Sequence, residues 1–305
     1  MTAPFVEYRA GGTDLSERRR SGVSRGPVRD IGARADLAGI TAGTGGGLDV
    51  GAMVTVAQVA ADPIVRAGYP GLAAAAGALA TPQIRRMATI GGNLLQRSRC
   101  WYYRNPHVSC LKSGGSTCPA RDGNHLFSVA FDLGPCVAPH PSTIGVALLA
   151  YDALVSTDRR REVPVAEVFG DGSDGGRDHQ LAADELLTAV HLPPPVAGER
   201  AAYHRAITRT YAEWPLAEAV ARLVVADGAI TLASVGVGGV APVPLRLPAV
   251  EAQLVGRPPT TEVIASAARH ATHGAQPLPQ TGYKLPLLIG TVTEVLERAA
   301  DLNSR

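Results

Sequence analysis

The chain has 305 residues, more than one compact core usually holds, so two or three domains are expected. A hydrophobic content of 46% excludes a disordered chain, and a formal net charge of +2 gives no ground for nucleic acid or an anionic membrane as a partner. Lysine occurs only at Lys112 and Lys284, so arginine carries nearly all the positive charge.

Phe5 to Ala10 reads as a short strand, followed by a Gly11-Gly12-Thr13-Asp14 turn. Asp14 is placed to cap a helix from Leu15 to Ser21, with Glu17-Arg18-Arg19-Arg20 as its solvated face. Val28 to Ile31 and Leu48 to Ala52 read as strands, Val56 to Ala61 as a helix, and the alanine-rich Gly71 to Ala80 as a second helix. Met87 to Ile90 reads as a strand leading into another Gly-Gly turn. From about Leu95 to Pro141 no period is sustained.

Ile144 to Val155 reads as a helix running into a strand, and Leu186 to Leu192 alternates into the Pro193-Pro194-Pro195 break, a domain boundary. Beyond it come a helix from Leu216 to Val225, a strand from Ile230 to Val235, a Pro-rich turn and two helices, Thr261 to His273 and Leu287 to Ala299. The N-terminus has no apolar signal region. The longest apolar run, Ile144 to Val155, is too short to span a bilayer and is broken by Asp152. A cytoplasmic location is the expectation.

Two segments point to a cofactor: Ala10-Gly11-Gly12-Thr13-Asp14-Leu15 and Thr89-Ile90-Gly91-Gly92-Asn93-Leu94. Consecutive backbone N–H groups with an adjacent hydroxyl can cradle a pyrophosphate, and glycine lets a ligand approach. Neither segment is a G-x-G-x-x-G fingerprint or a P-loop, and both also read as ordinary tight turns. All four cysteines, Cys100, Cys110, Cys118 and Cys136, fall in the aperiodic segment with Cys-x9-Cys-x7-Cys-x17-Cys spacing. That spacing lacks compact C-x2-C pairs, and it leaves an iron–sulfur cluster, zinc and free thiols open. His107, His125 and His140 share the segment and read as supporting or surface groups. Ser-His-Asp chemistry has no elbow motif. Ser234 to Pro242 reads as strand and turn, and Glu213-Trp214-Pro215 as a surface for a flat ring or a core tryptophan.

The stretch Thr81-Pro82-Gln83-Ile84-Arg85-Arg86-Met87-Ala88-Thr89-Ile90-Gly91-Gly92-Asn93-Leu94, together with Ala10 to Leu15, resembles the FAD-binding subunit of the xanthine dehydrogenase family of molybdenum hydroxylases. Arg99 to Arg104 and Cys136-Val137-Ala138-Pro139-His140-Pro141-Ser142 resemble the branch with an inserted [4Fe-4S] cluster, which includes flavin subunits of periplasmic aldehyde oxidoreductase and 4-hydroxybenzoyl-CoA reductase. Gly238 to Pro244 and Gly282 to Leu287 are similar to the family's C-terminal domain.

The resemblance implies an α+β fold: a vanillyl-alcohol-oxidase-type FAD-binding domain of two α/β subdomains, plus a smaller C-terminal α/β domain. The FAD-binding domain would cover 1–195, with subdomains at about 1–55 and 56–195 and an Fe–S insertion at 95–141; the C-terminal domain would cover 196–305. It implies FAD contacts at Arg9, Ala10, Gly11, Gly12, Thr13, Asp14, Leu15, Thr81, Thr89, Ile90, Gly91, Gly92 and Asn93, the glycine turns holding the pyrophosphate and ribityl region. Thr143, Leu187 and Arg205 join the site, and Cys100, Cys110, Cys118 and Cys136 would ligate the cluster.

Two departures accompany it. Thr143 stands where related subunits usually have an aspartate bonded to FAD, and Met1 to Arg9 stand where the family has about two dozen residues or more. The implied function is electron transfer beside a molybdopterin-binding large subunit and a [2Fe-2S] small subunit, with no substrate base in this chain. The alternatives are a stand-alone FAD-dependent oxidoreductase of a biosynthetic pathway, and an assembly protein that has lost FAD.

Overall fold

The structure, a computed structural model, describes residues 6–209 and 212–302. Phe5 lies outside the described residues, and the first strand there is β1 (Glu7–Arg9). It pairs in parallel with β2 (Val28–Asp30), and α1 (Leu15–Arg20) crosses between them, as a parallel pair requires.

A second sheet runs in the order β3 (Ile40–Ala42), β4 (Leu48–Gly51), β7 (Leu187–Leu192), β5 (Leu154–Thr157) and β6 (Val163–Pro164), with every neighbour antiparallel. Its inward residues Leu48, Val50, Val155, Val190 and Leu192 share one core with α2 (Val56–Ala61), α4 (Pro70–Ala78) and α7 (Thr143–Ala150). Its open face carries a cross-strand polar chain, with Ser156 and Asp49 each 2.7 Å from the His191 ring.

Proline opens three of the helices between β4 and the cysteines. Pro63 starts α3 (Pro63–Gly68), Pro70 starts α4 and Pro82 starts α5 (Pro82–Met87). Proline suits the first helical turn because its missing N–H has no partner to lose there. Two of these helices, α3 and α5, go beyond the sequence reading. The second Gly-Gly pair is not a turn after a strand. Thr89 accepts a hydrogen bond from Gly92 N–H and caps α6 (Ile90–Leu94), and only a single bridge between Thr55 and Thr89 is strand-like.

The C-terminal sheet runs β11 (Leu245–Arg246), β10 (Ala229–Gly238), β9 (Ala217–Ala226), β8 (Arg200–Ala206). The helix expected over Leu216 to Val225 is therefore a strand. Ala217 to Leu223 are buried without a break, which erases the alternation that marks a half-exposed strand. Pairing with β8 and β10 then overrides the helical leaning of alanine and leucine. Two short elements join it in the fold, α8 (Val165–Phe169) beside β6 and α9 (Pro248–Leu254) on the C-terminal core. α10 (Thr261–Ala268) and α11 (Lys284–Ala299) complete that core.

The cysteine segment has one 3-10 turn, Leu111–Ser113, and a small core of Ala120, Val129 and Val137. Among the described residues, no helix is long and apolar enough to cross a membrane.

Candidate functional site

A cleft of about 940 Å3, open mouth included, lies where β1, the first glycine turn, α6 and the start of β7 converge. Ala10, Gly11, Gly12, Thr13, Asp14 and Leu15 line it on one side, Thr89, Gly91 and Gly92 on another, and Leu186 and Leu187 on a third. Ten of the residues expected to hold FAD thus surround one space.

The two glycine segments do different work. No hydrogen bond among the described residues uses the N–H groups of Gly11, Gly12, Thr13 or Asp14, so this turn keeps a row of free donors beside the cleft. Free, adjacent N–H groups form an anion-binding concavity suited to a pyrophosphate. In α6 the N–H of Ile90 goes to Val54, that of Gly91 to Ala52, that of Gly92 to the Thr89 hydroxyl and that of Asn93 to the Thr89 carbonyl. Free N–H donors are therefore found in the first segment, whereas the N–H groups of Ile90 to Asn93 are already taken within the protein.

Each segment also packs closely against a neighbouring stretch of chain. A Cβ on Gly11 would sit 1.6 Å from the Met87 carbonyl oxygen, and one on Gly91 would meet Ala52 Cβ at 3.0 Å. Gly11 thus lacks a side chain because another backbone occupies that space. Gly12, at φ +72°, needs glycine for its conformation.

The other expected residues stand outside the cleft's lining. Arg9 pairs with Asp30 at the surface, and Thr81 caps α5. Ile90 is core. Asn93 Oδ1 accepts from Ser142 Oγ at 2.8 Å and from Ile144 N–H at 3.3 Å. Thr143 donates to Glu218 at 2.8 Å, and Tyr203 donates to the same oxygen at 2.7 Å. Burial pushes the Glu218 carboxyl up. Arg205 donates to the carbonyls of Ala78 and Glu213.

The ion pairs beside the cleft escaped sequence reading. Asp14 forms no cap bond to α1. Its carboxylate instead takes Arg18 at 2.9 Å, Arg104 at 2.7 Å and Arg99 at 3.0 Å, and accepts from Arg97 N–H at 3.2 Å. Burial works against its charge, but Arg99, Arg104 and Arg18 hold its pKa below the usual carboxylate value. Arg18, read as part of a solvated face, is buried and also pairs with Glu7.

A second ion-pair group joins the cleft to the cysteine segment. Arg97 meets Asp178 at 2.6 Å and Lys112 meets Asp178 at 2.8 Å. Burial opposes the Asp178 charge, yet Lys112 and Arg97 hold its carboxyl far below the ordinary range. His179, also in the cleft wall, has a buried Nδ1 with no partner among the described residues, and burial lowers its pKa to about 4. Only the charge-rich His-flanked Arg177-Asp178-His179 triplet could have flagged this group.

The four cysteines act on one another. The Cys118 and Cys136 thiols interact: their mutual hydrogen bond holds Cys118 down and, with burial, pushes Cys136 up. Burial raises Cys100, with smaller contributions from Cys118 and Cys110. Among the described residues, no three of His, Cys, Asp and Glu are gathered closely enough for a single metal ion. A four-iron cluster is bulkier than one ion, so its thiolates stand further apart, and four cysteines are its usual donor set.

Comparison with known proteins joins the two halves of the fold. Residues 2–195 match the FAD binding domain in molybdopterin dehydrogenase, and residues 201–298 match the CO dehydrogenase flavoprotein C-terminal domain. The chain is 32% identical to the aldehyde oxidoreductase FAD-binding subunit PaoB of Escherichia coli (strain K12), over 97% of this chain and 92% of the relative. It is 25% identical to the carbon monoxide dehydrogenase medium chain of Hydrogenophaga pseudoflava, over 81% of this chain and 71% of that one. Its fold matches a solved carbon monoxide dehydrogenase of the same organism with a TM-score of 0.75 at 23% identity, covering 97% of this chain and 89% of that chain. Quinoline 2-oxidoreductase from Pseudomonas putida 86 gives the same TM-score, 0.75, at 20% identity, covering 98% and 91%. The chain belongs to the family of FAD-binding subunits of the molybdopterin-dependent dehydrogenases, the xanthine dehydrogenase or molybdenum hydroxylase family.

Proposed function

We propose that this chain holds FAD in the cleft between its two glycine segments and a [4Fe-4S] cluster on Cys100, Cys110, Cys118 and Cys136. It would serve as the electron-transfer subunit of an aldehyde- or N-heterocycle-oxidising complex. The observation that carries the FAD reading is the row of free N–H groups from Gly11 to Asp14 beside the cleft. The apolar wall at Leu186 and Leu187 fits a flat ring, and the unpartnered His179 nitrogen adds a polar contact. Bound FAD would supply the step between two-electron and one-electron chemistry; this chain's residues bind it, orient it and set its surroundings.

The cluster reading rests on the donor set, four cysteines gathered between Cys100 and Cys136. The same reading divides the chain at 195/196 and supplies two partners, a molybdopterin-binding large subunit and a [2Fe-2S] small subunit. PaoB, similar along nearly the whole chain, is by name the FAD-binding subunit of an aldehyde oxidoreductase.

The test is an absorbance spectrum of natively purified protein with flavin and iron quantitation. One FAD and four irons per chain, with two co-purifying chains, are expected. A monomer that contains neither iron nor flavin would overturn the proposal.

A further inference from the structure

A second cavity, of about 1060 Å3 with its open mouth, lies on the far side of Arg99 from the flavin cleft. It separates the cysteine segment from residues 213–216, just ahead of β9, and Trp101, Tyr102, Phe127 and Trp214 line it. Trp101 is 63% exposed, Trp214 46% and Phe127 40%, whereas Tyr69 and Tyr151 are packed in the core. Trp101 stands edge-on to Phe127 with ring centres 5.4 Å apart. Flat rings left open around a concave space form a stacking site for another flat ring.

The polar groups here are mostly donors. Arg99 lies over the Trp214 ring at 4.4 Å, while its other edge holds Asp14 and Gln96 of the flavin cleft. Lys284, 1% exposed, lines the floor and donates to the Gly239 carbonyl at 2.7 Å. Phe127 O, 3.4 Å away, is its other acceptor among the described residues, and at least one amine hydrogen not committed to these two carbonyls can donate into the cavity, in a pocket where burial brings the Lys284 pKa down to about 7. The carboxylate in the wall, Glu213, is already taken by Thr208 and by Arg209 N–H. The ligand such a site selects is planar, aromatic and rich in hydrogen-bond acceptors. A dinucleotide is disfavoured, because among the described residues no glycine-rich N–H row faces this cavity.

We propose that this cavity binds a quinone, a planar two-electron acceptor, between Trp101 and Trp214, with a carbonyl oxygen turned toward Lys284. Cys100 forms part of the wall, so a bound quinone would lie against the cluster segment and one residue, Arg99, from the flavin cleft. The exchange balances as reduced flavin plus quinone giving oxidised flavin plus hydroquinone: two electrons and two protons leave one ring and reach the other. This assignment rests on the flavin reading above for its source of electrons, but binding does not.

Trp101 and Trp214 are the chain's two tryptophans, so intrinsic tryptophan fluorescence reports on this cavity alone. Titration of the full-length oxidised protein with 2-methyl-1,4-naphthoquinone should give saturable quenching. Trp214→Ala, a change at an exposed side chain, should raise the half-saturating concentration at least tenfold. 2-Methylnaphthalene, which lacks the carbonyls, should bind at least tenfold more weakly than the quinone. Linear, unsaturable quenching, an unchanged half-saturation in the variant, or equal binding of the hydrocarbon would each overturn the proposal. Flavin and iron quantitation on the same sample reads the function proposal separately, so either can fail alone.

Discussion

Asp14 and Arg104, 90 residues apart in the sequence, meet at 2.7 Å and tie the first glycine turn to the cysteine segment. The bond belongs to a cluster in which one carboxylate serves three guanidinium groups. Removing that carboxylate leaves one buried and two half-buried guanidinium groups with only Glu7 and Glu17 as counter-charges. Asp14→Asn should cost about 3 kcal/mol of stability, the usual scale for breaking a buried pair. It should also speed FAD release, read by urea denaturation and by flavin retention on a desalting column. An unchanged midpoint would mean that Glu7 and Glu17 suffice.

Gly11 and Gly290 separate packing from propensity. Gly11→Ala places a methyl group against the Met87 carbonyl and should abolish FAD retention, with a stability loss of about 2 kcal/mol or more. Gly290, in the exposed interior of α11, has open space around its Cα, and Gly290→Ala should stabilise by up to about 1 kcal/mol. Thermal melts of the two variants should shift in opposite directions.

His179 makes no hydrogen bond through Nδ1 among the described residues. His179→Leu should therefore leave the melting temperature unchanged or slightly raised while weakening FAD binding about tenfold, roughly 1.4 kcal/mol. Calorimetric FAD titration of the deflavinated variant measures it, and unaltered affinity would remove His179 from the site.

Cys110→Ser should lose iron and keep FAD, because the cysteine segment and the glycine cleft use different residues. Iron and flavin assays on one preparation decide this. Joint loss of both cofactors would show that the cluster holds the flavin site together.

Acid should destabilise the fold in a defined window. Asp178 and Glu185 both have carboxyls held below their ordinary values: Lys112 and Arg97 outweigh burial at Asp178, and Arg160 with Ala182 N–H and Thr157 outweighs it at Glu185, held at about 2. Depressed pKa values contribute stability that is present above the unfolded pKa, about 4, and lost as pH falls through the folded value. The urea midpoint should fall from about pH 4.5 downward, and Asp178→Asn should flatten that slope.

Local patterns carried the sequence reading where one element stood by itself. Val56 to Ala61 is a helix with a Thr55–Gln58 capping box, and the motif-bearing residues from Ala10 to Leu15 do surround a cleft with Thr89, Gly91 and Gly92. Long-range pairing was invisible. β9 reads as a helix because both its faces are buried, a fact that only β8, β10 and the helices packed on them supply. Asp14 reads as a cap because its true partners, Arg99 and Arg104, lie far along the chain. Gly91 and Gly92 read as a turn, whereas the Thr89 cap makes them the start of a helix.

The scarcity of lysine acquires a further meaning once both are located. The Lys112 side chain is 5% exposed, held by Asp178, and Lys284 is 1% exposed under the aromatic cavity. These 305 residues therefore present no freely accessible ε-amine. Succinimidyl esters and lysine-directed cross-linkers should leave the folded chain's side chains unmodified, so a cross-link to a neighbouring subunit will require arginine- or carboxylate-directed chemistry. Acylation of Lys284 would then be a signature of opening at the aromatic cavity, and acylation of Lys112 one of opening at the cysteine segment.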